Sequence, residues 1–347
     1  MVKGLSVYLN YKLTDIENVL YKAYKHNFSY VFSSLHIPED DISECKDKFL
    51  RILELCNEYK LNLIADVSPR TLKLFNISSF DELSKMGLKY LRPDFGFGVK
   101  ELFELSKFFN LVINASTFTE ELFIELKEIN FDFDKIIACH NFYPKKYTGL
   151  NEEKTLSINR YLHSKGIKVI GFVDGDVNHR GPLYEGIPTV ECLRNEDVFY
   201  SSLVMNRKLE CDVVIISEFD VSDNALKRFD NLDNGYIEIE CCLKEGYDEY
   251  LSYVHHDRVD NSEYFIRSHE SIYKHYIDRK ISPENCVERH IGDICVSNEK
   301  YLRYNGELEI MLKDLPSDER VNVIGHTDSN LIAFIDYNTG IKLKKVC

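Results

Sequence analysis

The chain has 347 residues, room for two domains or for one barrel with an appendage. Apolar residues make up 44% and charged residues 29%, an ordinary globular balance that excludes a disordered or collagen-like chain. With 43 Lys and Arg against 57 Asp and Glu the net charge is −14. That excludes a nucleic-acid coat but leaves room for a small anionic substrate held by a few local cations.

The first two thirds alternate short β-rich runs with amphipathic stretches. The runs fall at 5–9, 30–36, 61–67, 89–95, 111–115, 135–140, 168–173 and 212–217. After the first, Ile16, Val19, Leu20 and Ala23 share one face of a helix over 15–26, with Thr14 and Glu17 spaced as a capping box. Ser79 with Glu82, and Thr117 with Glu120, have the same spacing. Eight βα units predict an α/β fold, a parallel (β/α)8 TIM barrel over residues 1–231. An open doubly wound sheet would normally show a glycine-rich turn after its first strand, where this chain has Asn10-Tyr11-Lys12.

From residue 232 the pattern changes. Strand-like runs at 236–242, 286–296, 306–312, 321–326, 331–335 and 341–346 are interrupted by one helical candidate at 268–277. This predicts a second, mostly β domain over 232–347 that closes into a small barrel.

The first apolar stretch ends at Leu9, before Lys12, so no signal-peptide core is expected, and no run approaches the ~20 apolar residues of a membrane span. Ten cysteines without a Cys-x-x-Cys pair, two of them adjacent at Cys241-Cys242, argue against a zinc ribbon. They read as buried small apolar thiols in a reducing compartment. There is no tryptophan, so ring stacking falls to the 22 Tyr and 21 Phe.

In such barrels the active site lies at the C-terminal ends of the strands. Those ends carry Tyr8 and Asn10; Ser33, Ser34, His36 and Glu39-Asp40-Asp41; Asp66 and Ser68; and Arg92 and Asp94. They continue with Asn114, Ser116 and Thr117; His140, Asn141 and Tyr143; Asp174 and Asp176; and Glu218 and Asp220. Polar residues after strands are also turn formers and helix caps, which is the plain alternative for Glu39 and Asp176. Asp66 and Asp94 each end an apolar strand and make a pair suited to general acid–base work. His36 and His140 lie on distant strands, a poor spacing for a metal, so no metal and no cofactor is expected. Lys135 and Lys168 stand at strand starts, which argues against a Schiff-base lysine. In the loop after the seventh strand Arg180 stands between His179 and Gly181, a candidate phosphate fork.

The segments that begin at Ser33, Ala65, Leu91, Asn114, His140 and Arg180 resemble those of the bacterial 6-phospho-N-acetylmuramidases. They are Ser33-Ser-Leu-His-Ile-Pro-Glu-Asp-Asp41, Ala65-Asp-Val-Ser-Pro69, Leu91-Arg-Pro-Asp-Phe-Gly96, Asn114-Ala-Ser-Thr117 and His140-Asn-Phe-Tyr-Pro144. Arg180-Gly-Pro-Leu-Tyr-Glu-Gly-Ile-Pro-Thr189 follows, and the second domain adds Arg267-Ser268, Glu288-Arg289 and Gly306-Glu-Leu-Glu309. The resemblance implies a TIM barrel followed by a cyclophilin-like β-barrel, in a cytoplasmic glycosidase of peptidoglycan recycling. The implied partner is a small phosphorylated amino-sugar disaccharide, 6-phospho-N-acetylmuramic acid linked β-1,4 to N-acetylglucosamine. Neither nucleic acid nor membrane is an implied partner, and a homo-oligomer is left open. Position then nominates Asp66 and Asp94 as catalytic, with Glu39 and Asp176 in reserve. His36, Arg92, Asn114, His140, Asn141, Tyr143, Arg180 and Arg289 are nominated to bind substrate. Two places depart from the pattern: Asp174 stands where proline is expected, and Ser217-Glu218-Phe219 where Gly-Asp-Pro is expected. A metal-dependent hydrolase, a sugar-phosphate isomerase or a non-catalytic sugar-phosphate-binding protein remain the alternatives.

Overall fold

A computed structural model describes residues 1–35, 42–273 and 280–347. It divides into two compact units, Met1–Leu226 and Lys227–Cys347. In the first, strands β1 (Val2–Ser6), β2 (Tyr30–Ser34), β3 (Asn62–Val67), β4 (Tyr90–Pro93), β5 (Asn110–Asn114), β6 (Ile136–Cys139), β7 (Lys168–Val173) and β8 (Val213–Phe219) form a closed parallel barrel in chain order. Parallel strands covered on both faces read as continuous apolar runs, which is why these were visible in the sequence. β1 starts earlier than its apolar run suggests: the ladder with β8 shifts register between Leu5 and Ser6, and residues 7–9 leave it.

Helices α1 (Leu13–Lys25), α2 (Ile42–Glu58), α3 (Pro69–Leu74), α4 (Asp81–Lys85), α5 (Val99–Ser106), α6 (Glu120–Glu128), α7 (Glu152–Ser164), α8 (Val198–Leu203) and α9 (Asp223–Asp233) connect the strands or follow them. Ile16, Val19, Leu20 and Ala23 are the buried face of α1, as their spacing predicts. The three expected caps all differ. Thr14 lies inside the first turn of α1, whose amides bond the Lys12 carbonyl. Glu82 accepts from Ser78 rather than Ser79, at 2.7 Å from its N–H and 2.6 Å from its hydroxyl. Thr119, two residues past Thr117, caps α6 by accepting the Leu122 N–H.

The barrel interior is filled by Phe32, Ile64, Val112, Cys139, Ile170, Phe172, Val213 and Ile215, with Tyr30, Tyr90, Ile137 and Phe142 packed against them. Filling a barrel of this size with branched and aromatic side chains makes it a solid core with no pore.

In the second unit β9 (Tyr236–Leu243), β10 (Phe265–Arg267), β11 (Asp293–Ser297), β12 (Leu308–Met311), β13 (Val321–His326) and β14 (Gly340–Lys345) form one sheet in the order β10-β12-β11-β13-β9-β14. The sheet is mixed and open, a curled half-barrel, which corrects the expected closed β-barrel: β9 and β14 pair in parallel, and β10 and β14 are left at the edges. The run at 331–335 is a 3-10 turn instead of a strand, because the Ser329 hydroxyl accepts the Leu331 N–H and starts the turn. Only the end of the 286–296 run joins the sheet, after a reversal at Gly292, whose φ is +87°. The short helix α10 (His269–Tyr273) lies within the helical candidate, whose remaining residues fall outside the described ones. The β9–β14 register brings Cys242 and Cys347 together, and they are disulfide-bonded. With Cys192 exposed and Cys286 half-buried, the expectation of buried thiols holds for Cys45, Cys56, Cys139, Cys211, Cys241 and Cys295 only. Among the described residues no helix is long and apolar enough to cross a membrane.

Barrel closure is sensitive at Gly4. A Cβ there would meet Ile215 Cγ1 at 2.8 Å and the Tyr30 carbonyl oxygen at 3.0 Å, one contact on each neighbouring strand. Gly4→Ala should therefore cost about 1–3 kcal/mol and lower Tm by roughly 2–10 °C in calorimetry. An unchanged Tm would show that the β8–β1–β2 seam is looser than its register implies.

Candidate active site

The site begins with a row across three strands. Register places Ser34 of β2 beside Asp66 of β3, and Asp66 beside Arg92 of β4. Side chains at one level of a parallel sheet share a face, so the three meet. The Ser34 hydroxyl donates to Asp66 Oδ2 at 2.9 Å, and Arg92 Nη1 donates to Asp66 Oδ1 at 2.6 Å. Asp94, two residues beyond Arg92, returns to that face, and the same Nη1 donates to its Oδ1 at 2.9 Å. Arg92 Nη2 donates to Asn141 Oδ1 at 2.5 Å, which brings in the loop after β6. Burial works against the Arg92 charge, but the carboxylates of Asp66 and Asp94 outweigh it and keep the guanidinium protonated. The two carboxylates differ in exposure: the Asp66 side chain is 7% exposed and that of Asp94 28%.

His140 is fully buried beside this cluster. Asn159 Nδ2 donates to the Leu209 carbonyl, which fixes Asn159 Oδ1 as an acceptor. His140 Nε2, 2.6 Å from that oxygen, must therefore carry the proton. Nδ1 keeps its lone pair and has no partner among the described residues. Burial holds the imidazole below its ordinary pKa.

Ser34, Asp66, Arg92, Asp94, His140 and Asn141 line one wall of a cavity of about 340 Å³. Phe32, Phe142 and Phe172 also line it and meet edge to face, with centroids 5.2–6.0 Å apart. Arg180, Gly181 and Pro182 border this cavity and also a larger groove of about 1130 Å³. The groove is lined by Asn10, Tyr11, Asn18 and Tyr184 among others, and Tyr11 is stacked on Phe219 at 3.8 Å. The Arg180 guanidinium lies over the Tyr8 ring at 4.1 Å, and no carboxylate among the described residues forms an ion pair with it.

Three features of the rim were outside the nominated set. Glu218, at the end of β8, accepts the Arg180 N–H at 2.6 Å, is fully buried, and is pushed up to about 7 chiefly by that burial. Asp174, at the end of β7, is raised for the same reason although Oδ2 accepts the Asn195 N–H at 2.8 Å. Both were visible as strand-end carboxylates, but their immediate neighbours in the sequence gave no sign of their contacts. Arg194 donates from Nη1 to the Gly186 carbonyl at 2.7 Å and from Nη2 to the Tyr143 carbonyl at 2.9 Å, while Nε and Nη2 also donate to the Glu191 carboxylate at 2.7 and 2.8 Å. That bridge spans the loops after β6 and β7, and no local sequence signal marks it.

Asp176 is exposed and bonds the main-chain N–H of Ser222 at 3.0 Å and its hydroxyl, so it anchors the start of α9. Asn114 accepts the Ser116 N–H at 2.9 Å as a turn residue after β5. The Tyr143 main chain bonds Pro188 and Arg194, which makes it part of the loop framework. Arg289 lies in the second unit, where it donates to the Pro316 carbonyl at 2.8 and 3.2 Å. His36 and Glu39 lie outside the described residues. Among the described residues no group of three or more His, Cys, Asp or Glu is arranged to hold a metal.

The tautomer assignment is testable. Nitrogen-detected NMR should find His140 neutral and protonated at Nε2 at pH 6, where an ordinary histidine is largely charged. Because its folded pKa lies below the unfolded one, its contribution to stability falls as pH drops through about 6.5. A doubly protonated His140 at pH 6 would contradict the assignment.

Residues 3–231 match the family model described as 6-phospho-N-acetylmuramidase, N-terminal, and residues 236–344 the model described as 6-phospho-N-acetylmuramidase, C-terminal. A solved structure of a conserved Enterococcus faecalis protein of unknown function is 28% identical, with a TM-score of 0.84 over 99% of this chain and 96% of that one. That of an uncharacterized B. cereus protein is 22% identical, with a TM-score of 0.79 over 99% of each chain, and speaks for the fold alone. No curated protein matches the chain. With both models matched in order across nearly its whole length, the chain belongs to the 6-phospho-N-acetylmuramidase family.

Proposed function

We propose that this protein is a glycosidase that hydrolyses the β-1,4 bond between 6-phospho-N-acetylmuramic acid and N-acetylglucosamine, in the cytoplasmic recycling of peptidoglycan. Family membership supplies the substrate class. The observation that carries the chemistry is the pair Asp66 and Asp94 on one Arg92 nitrogen, facing a small aromatic-lined cavity with Arg180 at its edge. Hydrolysis of this kind needs a proton donor for the leaving oxygen and a negative group beneath an oxocarbenium-like centre. By their places at the rim we assign Asp94, just past β4, to the donor and Asp66, in β3, to the stabiliser. The 2-acetamido group of such a substrate can itself act as nucleophile, in which case Asp66 orients it.

Arg180 is the cation assigned to the 6-phosphate, since Arg92 is committed to two carboxylates and an amide. Its fork suits a phosphate, and a charge-assisted bond is stronger in a partly desolvated cleft. Asn141 and His140 offer polar contacts at the cavity wall. The larger groove, with amides at Asn10 and Asn18 and the Tyr11–Phe219 stack, suits the uncharged second sugar. We read the second unit as cyclophilin-like and assign Arg289 no step in the reaction.

Activity on synthetic disaccharides tests this. Asp94→Asn and Asp66→Asn should each lower kcat by roughly 10²–10⁴ on the phosphorylated disaccharide while the far-UV spectrum is retained. Near wild-type turnover in both would remove the pair from the chemistry. Arg180→Ala should lower kcat/KM on the phosphorylated compound by roughly 10- to 150-fold, with a much smaller loss on the unphosphorylated one. Equal losses on both would mean that Arg180 holds its loop and not the phosphate.

A further inference from the structure

The loop that carries Arg180 leaves β7 and borders both cavities, so whatever fixes its main chain also fixes where the guanidinium lies. Three contacts define that position. The Arg180 N–H donates to Glu218 Oε2 at 2.6 Å, reaching from the loop after β7 to the end of β8. The Arg180 guanidinium lies over Tyr8, whose hydroxyl donates to the Ser217 carbonyl beside Glu218. Gly175 packs so closely on Glu218 that an added Cβ would come within 2.7 Å of Glu218 Cβ. The loop start, the Arg180 amide and the ring under its side chain therefore all refer to β8 at residues 217 and 218.

Glu218 is an expensive residue to keep there. It is fully buried, and its Oε1 has no hydrogen-bond partner among the described residues. A buried carboxyl with one oxygen unmet costs stability, and apolar side chains of similar size would fill the space without that penalty. Its one hydrogen bond goes to the amide of the residue assigned to the phosphate. Glu218 lines neither cavity, so a direct contact with substrate does not explain it.

We propose that Glu218 is a positioning residue for the phosphate site, fixing the Arg180 main chain and so aiming the guanidinium that meets the phosphate. This rests on the phosphate role assigned to Arg180 above. It concerns one of the two places where the sequence departs from the pattern it otherwise resembles, so it describes how this chain, with glutamate at 218, holds its loop.

A double-mutant cycle on kcat/KM separates aim from fold. Wild type, Glu218→Ala, Arg180→Ala and the double variant are assayed on the phosphorylated and unphosphorylated disaccharides. Glu218→Ala should reduce the preference for the phosphorylated compound about tenfold, mainly through KM. The double variant should be no worse than Arg180→Ala, because contacts acting through one group are not additive. Glu218→Gln keeps an acceptor for the amide and should retain the preference within about threefold. If the alanine variant does not fold, Glu218→Met fills the space without an acceptor and carries the same expectation. Additive losses, or a preference unchanged in both the alanine and methionine variants, would overturn the positioning role alone. A wild-type enzyme with no preference for the phosphorylated disaccharide would overturn the phosphate reading beneath it.

Discussion

One buried guanidinium organises the rim of this barrel. Arg92 Nη1 serves Asp66 and Asp94 together, and Nη2 holds Asn141, so a single side chain ties the ends of β3, β4 and β6. A buried charge is tolerated only with its counter-charges in place, and removing one partner strands the others at a cost of several kcal/mol. The cluster is therefore cooperative. Asp66 is fixed by Ser34 and Arg92, Arg92 by its three acceptors, and the spacing of the two carboxyl groups by the nitrogen they share. For a reaction that needs two carboxyl groups in set positions, one bridging cation replaces flexible loops as the source of precision.

The opposite side of the rim is built on a different principle. There, carboxylates at the ends of β7 and β8 hold main-chain amides: Asp174 takes Asn195, and Glu218 takes Arg180. Arg194 adds a bridge between the loops after β6 and β7 through their carbonyls. The Arg180 side chain is thereby left to rest on an aromatic ring, without a carboxylate partner among the described residues. A cation held this way keeps its charge for an incoming anion, which matters in a protein whose net charge of −14 gives a phosphate no general attraction.

Much of this was legible in the sequence, for identifiable reasons. Barrel strands are apolar on both faces, so their runs stand out, and the polar residue closing each run lands on one rim. That reasoning reached Asp66, Arg92, Asp94, His140 and Asn141, and the loop after β7 added Arg180; all line the same cavity. It did not separate them from Asp176 or Asn114, because a turn former and a site residue look alike until the partner is seen. For Asp176 that partner is Ser222, 46 residues away. Arg194 and the amide bond of Glu218 were hidden for the same reason: both depend on loops that meet only once the barrel closes. In the second unit the runs that became β9, β11, β12, β13 and β14 were visible, but neither β10 nor the openness of the sheet was. It follows from the pairing partners of β10 and β14 and not from their composition.

The most direct test of the account is a crystal structure of the Asp94→Asn variant with the phosphorylated disaccharide bound. The account predicts the phosphate within about 3 Å of the Arg180 guanidinium nitrogens and the glycosidic oxygen beside residue 94, with the ring of the phosphorylated sugar over Asp66. A phosphate seated away from Arg180, or a glycosidic bond lying outside the cavity lined by Asp66 and Asp94, would contradict it.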